Sequence, residues 1–183
     1  RAALARGRLV SIVGLGGVGK TRLATEVAIE VAQALQVDLA ASTGPIVARI
    51  AADLGVVATG DHHWDLRTVA SVLSHGRVLL VVDGCEVDLG ETASTLESLL
   101  DECPNVQVLA TSRAALGVVG ERVVPLLPFR DPADLRGPTI EQLCDRLAAT
   151  GIDPDSMDAS VLAAHAARSA GVPLAVELAV GDV

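Results

Sequence analysis

The sequence predicts an α/β protein: a five-stranded, mostly parallel sheet flanked by helices, followed by a small helical unit. Three observations carry this. Short apolar runs alternate with helix-period segments through the first two thirds of the chain. A glycine-rich turn, "GLGGVGKT" (Gly14–Thr21), joins the first apolar run to the first amphipathic segment. After Pro128 the apolar runs cease and every remaining periodic segment reads as helix.

The elements follow in order. "RLVSIVG" (Arg8–Gly14) is a buried strand ending in glycine. From Lys20, "KTRLATEVAIEVAQALQ" places Leu23, Val27, Val31 and Leu35 at i, i+4 spacing, which predicts one helix across the whole stretch. "QVDLAA" (Gln36–Ala41) is a weaker strand. "TGPIVARIAADLG" predicts a helix with Thr43 as N-cap, Pro45 in the first turn and Gly55 beyond the end. "TGDHHW" reads as a loop, and Asp65–Ser74 as the helix after it. "RVLLVVDG" (Arg77–Gly84) has five apolar residues in a row, the pattern of a central parallel strand covered on both faces. "ETASTLESLLDE" is helical and stops at Pro104, and "VQVLATS" (Val106–Ser112) is the fourth strand. "ERVVPLLP" supplies a fifth, at an edge because Pro125 lacks a ladder donor. "FRDPADLRGP" is a polar linker, followed by helices over Pro138–Thr150, Asp158–Ala170 and Pro173–Val180. The sheet domain is placed at residues 1–127 and the helical unit at 128–183.

Half of the 183 residues are hydrophobic, with one Phe, one Trp and no Tyr, so the core is aliphatic. No apolar run reaches the roughly 18 residues of a membrane span. Net charge is −9, from 14 basic and 23 acidic residues, which argues against direct nucleic-acid binding by this segment. The basic excess at the start (Arg1, Arg6, Arg8, Lys20 and Arg22, with no acid before Glu26) reads as a solvated N-terminal arm. Cys85, Cys103 and Cys144 are odd in number and lack CxxC spacing, which disfavours disulfides and zinc and fits a reducing cytoplasm. His62-His63 reads as a polar loop rather than a metal site. The chain opens on Arg1 rather than Met and is read as a fragment of a longer protein.

Gly14–Thr21 fits G-x-x-x-x-G-K-[ST] and contains the sole lysine among 14 basic residues. With 17 Gly and 20 Ser plus Thr in 183 residues, chance placement around that lysine is about one in a thousand. The chemistry explains each position. Gly14, Gly16, Gly17 and Gly19, with Val18, let successive backbone N–H groups approach phosphate oxygens. The helix N-terminus at Lys20, Thr21 and Arg22 adds donors and partial positive charge. Lys20 supplies a compact ammonium for the β- and γ-phosphates, where a planar guanidinium fits badly. Thr21 offers a hydroxyl to Mg²⁺, and Asp83, ending "LLVVD", offers the carboxylate. The residue after Asp83 is Gly84 rather than an acid, and Glu86 lies three positions on, so slow hydrolysis is expected. Arg113, in "TSR" after the fourth strand, faces the same crevice. Its position alone leaves open a γ-phosphate contact, with Thr111 or Ser112 as a sensor, or a plain surface arginine. A guanine-specific N-K-x-D segment is absent, which favours adenine.

The segments "LVSIVGLGGVGKTRLA", "RVLLVVDGCE", "CPNVQVLATSRAALGVVGERVVPL" and "GVPLAVELA" together resemble the STAND class of P-loop NTPases, in its NB-ARC-like branch. The resemblance is greatest to the ATPase domains of actinobacterial LuxR-type and SARP-type transcriptional regulators. It implies ATP/ADP and Mg²⁺ as ligands, with Lys20, Asp83 and Arg113 acting on the phosphates. It also implies that Pro173, in a segment usually G-L-P-L-A, lies against the base. Further domains, self-association and DNA binding would belong to the longer protein, outside this chain. Two departures stand out: Val37–Ala41 lacks the expected aromatic-rich pattern, and "DG" (Asp83-Gly84) replaces the usual "DN" at the end of the "RVLLVVD" strand. Two other readings remain open here: a degenerate domain serving as an oligomerisation scaffold, and a P-loop hydrolase or kinase with an unidentified substrate.

Overall fold

The computed structural model describes residues 2–41, 43–130 and 134–180. The strands are β1 (Leu9–Val13), β2 (Ala34–Asp38), β3 (Val78–Asp83), β4 (Val106–Ser112) and β5 (Glu121–Pro125). They form one sheet in the order β2-β3-β4-β1-β5, and every pairing is parallel. The α/β expectation therefore holds, and β5 is an edge strand as Pro125 requires.

Four helices cross between the strands: α1 (Lys20–Ile29), α2 (Ile46–Asp53), α3 (His62–Leu73) and α4 (Leu89–Glu102). Alternation along the central strands divides the core. Leu80 and Val82 of β3 join Val106, Val108 and Ala110 of β4 in one buried cluster with Ile46, Ile50, Val69, Leu73, Leu96 and Leu99 of α2–α4. Leu79, Val81 and Leu109 are also buried and project to the other face, where α1 packs on β3 and β4. A strand covered on both faces must be apolar at every position, which is why β3 reads as a continuous run.

Four local expectations are corrected. The helix from Lys20 ends at Ile29 rather than continuing to Gln36. Its inward residues are Lys20 and Ala24, whereas Leu23 and Val31 of the predicted stripe are both 38% exposed. Leu35 belongs to β2, because the Gln33 carbonyl already accepts from the Leu79 N–H and residues 34–38 go to the ladder with β3. Thr43 does not cap α2; Pro45 holds that position without a side-chain bond. Gly55 does end α2, at φ +72, with Val56 N–H returning to the Ala51 carbonyl. Finally, His62, His63 and Trp64 form the first turn of α3 rather than a loop, because the Asp61 carboxylate caps the Trp64 N–H at 2.9 Å. Arg8 is also more than a solvated arm. Its guanidinium donates to the Leu100 carbonyl at 2.6 Å and the Val106 carbonyl at 3.2 Å, tying the end of α4 to the start of β4.

The remaining helices are α5 (Pro138–Ala149), α6 (Ala159–Arg168) and α7 (Pro173–Ala179). The chain divides into two compact units. The first comprises residues 1–14 and 20–125; the second comprises 126–183 together with the five loop residues 15–19. Residues 131–133 of the predicted polar linker lie outside the described residues. In the second unit Ile140, Leu143, Leu147, Leu162, Ala166 and Val176 form the core of α5–α7.

The link between α6 and α7 is tightly determined. Ala170 and Gly171 both take positive φ, +49° and +73°. Phe129 N–H donates to the Gly171 carbonyl at 2.8 Å, and a β-carbon at Gly171 would collide with the Phe129 backbone. Gly171→Ala is expected to destabilise the helical unit by about 3 kcal/mol or more, through backbone strain and overlap together. A thermal melt of the variant beside wild type measures this; an unchanged midpoint would contradict it.

Candidate phosphate and metal site

The parallel register brings the predicted residues together from distant parts of the chain. Val82 pairs with Ala110 and Val13 with Ser112, so β1, β3 and β4 end at the same edge. The Gly14 N–H continues that alignment by donating to the Ser112 carbonyl at 3.2 Å. In open parallel sheets this carboxyl edge is where ligands bind.

Lys20 is 8% exposed, and its ammonium donates to the Gly14 carbonyl at 3.0 Å. The side chain thus curls back along the loop that precedes it. Gly17 and Gly19 hold φ +74° and +99°, the region that favours glycine. Leu15 and Gly16 are exposed, while Val18 is buried. Arg22 is exposed on the first turn of α1.

Asp83 ends β3 and meets Thr21 from α1. The Thr21 hydroxyl lies 2.9 Å from both carboxylate oxygens. A second hydroxyl, Thr111 Oγ1, donates to Asp83 Oδ1, and Gly84 N–H donates to that same Thr111 oxygen at 3.1 Å. The direction is forced: Thr111 accepts from the backbone and gives its proton to the carboxylate. Gly84 presents its N–H from a left-handed conformation, φ +77°. Of the two sensor candidates, Thr111 faces Asp83, whereas Ser112 is buried and accepts from the Ala114 N–H at 3.3 Å. Sequence reasoning left Thr111 and Ser112 equal. The strand register separates them, since one step beyond Val82 and Ala110 sets Asp83 beside Thr111.

Arg113 is paired. Its Nε lies 3.3 Å from Glu86 Oε1, with the arginine side chain 69% exposed. An ion pair with so exposed an arginine contributes little to stability. Cys85, between Asp83 and Glu86, is fully buried. Burial, with the charges of Glu86 and Asp83 adding to it, pushes its thiol up to about 12, so it stays protonated and unreactive at neutral pH. Pro173 opens α7 at its first helical position.

The cluster suits a hard divalent cation. Its donors are a carboxylate and a hydroxyl, all oxygen, already converged on one point. Among the described residues no group of three or more His, Cys, Asp or Glu is arranged to hold a metal by itself. Thr21 and Asp83 would therefore hold Mg²⁺ in the way usual for that ion, with few protein ligands and the remaining positions left to water and phosphate. A separate cavity of about 720 Å³, lined by Arg8, Val27, Arg77, Leu79 and Gln107 among others, contains none of the predicted site residues.

The comparisons place the fold first. The chain is similar to a Signal Transduction ATPase with Numerous Domains (STAND) protein with a tetratricopeptide repeat sensor from Pyrococcus horikoshii. The TM-score is 0.56 at 17% identity, covering 94% of this chain and 27% of that one. It is also similar to a chain of Drosophila ORC bound to DNA, with TM-score 0.58, 14% identity, and 96% and 53% covered. C. elegans PCH-2 gives 0.53 at 12% identity, with 96% and 61% covered. The architecture is thus an α/β fold of the P-loop NTPase type. No protein-family model matches the chain.

Two Mycobacterium tuberculosis proteins are similar in sequence. One, named "Putative HTH-type transcriptional regulator", is 35% identical over 191 residues, covering 100% of this chain and 21% of that protein. The other, named "Uncharacterized protein", is 35% identical over 190 residues, covering 98% and 47%. The chain therefore spans about a fifth of the first relative and about half of the second. No helix among the described residues is long and apolar enough to cross a membrane.

Proposed function

We propose that this chain is an ATP/ADP-binding switch domain with slow Mg²⁺-dependent ATPase activity, belonging to a signalling or transcriptional regulator. The observation that carries this is the meeting of Thr21 with both oxygens of Asp83 at 2.9 Å, across 62 residues of sequence. A glycine-rich turn serving only to enter a helix has no need of that convergence. Residues 1–127 would form the NTPase core and 128–183 the helical unit.

In this reading the backbone of Gly14, Gly16, Gly17, Val18 and Gly19 cradles the phosphates, with Lys20, Thr21 and Arg22 at the helix start. Lys20 gives its ammonium to the β- and γ-phosphates. Thr21 and Asp83 would hold Mg²⁺, which would supply positive charge to offset that of the phosphates. Arg113 would leave Glu86 for the γ-phosphate, and Pro173 would cover the base. Turnover is slow because Gly84 supplies no carboxylate to orient water, and the nearest acid beyond it, Glu86, is turned toward Arg113. The regulator context is supported by the name of one relative; DNA contact and self-association would fall to other parts of a longer protein.

Calorimetric titration with ATP, ADP and GTP, with and without Mg²⁺, tests the proposal. ATP and ADP should bind, with ATP strengthened by Mg²⁺ and GTP weaker by about tenfold or more. Absence of ATP binding, or equal binding of GTP, would overturn it.

A further inference from the structure

The loop residues 15–19 have a second set of partners, in α7. That helix begins with Pro173, which has no N–H, and Val172 before it gives no side-chain cap. The next first-turn donor, Leu174 N–H, needs an acceptor from elsewhere. It finds the Gly17 carbonyl, at 3.1 Å. The Leu174 side chain covers the same glycine: a β-carbon at Gly17 would come within 2.6 Å of Leu174 Cβ and 3.0 Å of Cδ2. Gly17 is therefore required twice over, by its φ of +74° and by this close approach.

The consequence lies across the next peptide bond. In a trans peptide the C=O and N–H point in opposite directions. Fixing the Gly17 carbonyl on α7 turns the Val18 N–H away from that helix. It donates instead to the Leu15 carbonyl over a long 3.4 Å. A backbone N–H held only over so long a distance within a glycine-rich loop is the kind of donor an anion recruits.

We propose that Leu174 is a positioning residue for the phosphate loop. Its N–H and side chain together orient the 17–18 peptide so that Val18 N–H is presented to a phosphate oxygen. The loop in return caps α7, so the helix registers the state of the loop. Coupling of this kind is reciprocal: whatever strengthens loop order strengthens α7, and the reverse. The identity of the phosphate ligand rests on the nucleotide reading above; the capping of α7 does not.

Amide hydrogen exchange on the 183-residue chain without nucleotide tests the capping. Gly17→Ala should speed exchange at residues 174–179 by about tenfold. Gly19→Ala is the matched control, since Gly19 also has positive φ, +99°, but nothing lies within 4 Å of its β-carbon position; it should change those amides less than about twofold. Equal exchange in the two variants would overturn the inference. Leu174→Ala should then raise the ATP dissociation constant about five- to tenfold by lowering the fraction of loop in the binding-competent form, and Leu174→Met should restore it. Wild-type affinity in Leu174→Ala would also overturn it. If wild type binds no ATP at all, the nucleotide reading fails, while the exchange comparison still decides whether the loop caps α7.

Discussion

ATP affinity is expected to fall by about thirtyfold or more in Lys20→Ala, with the fold intact. The magnitude follows from burial. Lys20 is 8% exposed, so in the proposed complex its ammonium would meet phosphate in a partly desolvated site, where removing one member of a charge pair costs about 2–5 kcal/mol. Each 1.4 kcal/mol is about tenfold in affinity. Lys20→Arg is expected to recover little, although it keeps the charge. The ammonium reaches the Gly14 carbonyl at 3.0 Å by folding back over its own loop, and a planar guanidinium with its fixed fork cannot occupy that short return path in the same way. Titration calorimetry of the three proteins, each checked by thermal melt, gives the comparison. Wild-type affinity in Lys20→Ala would remove the phosphate-loop reading altogether.

A single lysine beside 13 arginines proves little by itself, but its place in "GLGGVGKT" is where a compact ammonium suits phosphate better than a planar guanidinium. The sheet was equally legible, because β3 and β4 are covered on both faces and must be apolar throughout. What failed to show was decided by competition between local and long-range bonds. Leu23, Val27, Val31 and Leu35 keep perfect helical spacing, yet residues 34–38 are claimed by the ladder with β3, which no local pattern encodes. His62–Trp64 looked like loop because the stretch is polar, and one capping carboxylate, Asp61, was enough to start the helix there. Thr111 could not be told from Ser112 for a related reason. It becomes Asp83's partner only through the β3–β4 register, and register joins residues 28 positions apart. The contact between Leu174 and Gly17 lay further still from what spacing can reveal: "GVPLA" read alone is a helix stop followed by a helix start.

Asp83→Asn is expected to abolish the Mg²⁺-dependent part of ATP binding and to lower phosphate release by about a hundredfold or more, the scale of losing a metal's charge stabilisation worth several kcal/mol. The substitution isolates charge from geometry. Thr111 accepts from Gly84 N–H and so must donate toward residue 83, where an amide oxygen receives it as a carboxylate oxygen does. The amide nitrogen then faces Thr21, whose hydroxyl can turn to accept. The cluster keeps its bonds and loses one negative charge, so the loss reports on the cation. Thr111→Val does the opposite. It removes one hydroxyl, worth about 1 kcal/mol, and leaves the charge, so a decline of roughly five- to tenfold is expected with Mg²⁺ dependence retained. The order should therefore be wild type, then Thr111→Val, then Asp83→Asn far below, in both Mg²⁺-dependent ATP binding and phosphate release. Undiminished Mg²⁺ dependence in Asp83→Asn would show that the meeting of Thr21 and Asp83 is only a structural tie between α1 and β3, and wild-type phosphate release no greater than that of the variant would make the domain a scaffold that holds nucleotide without acting on it.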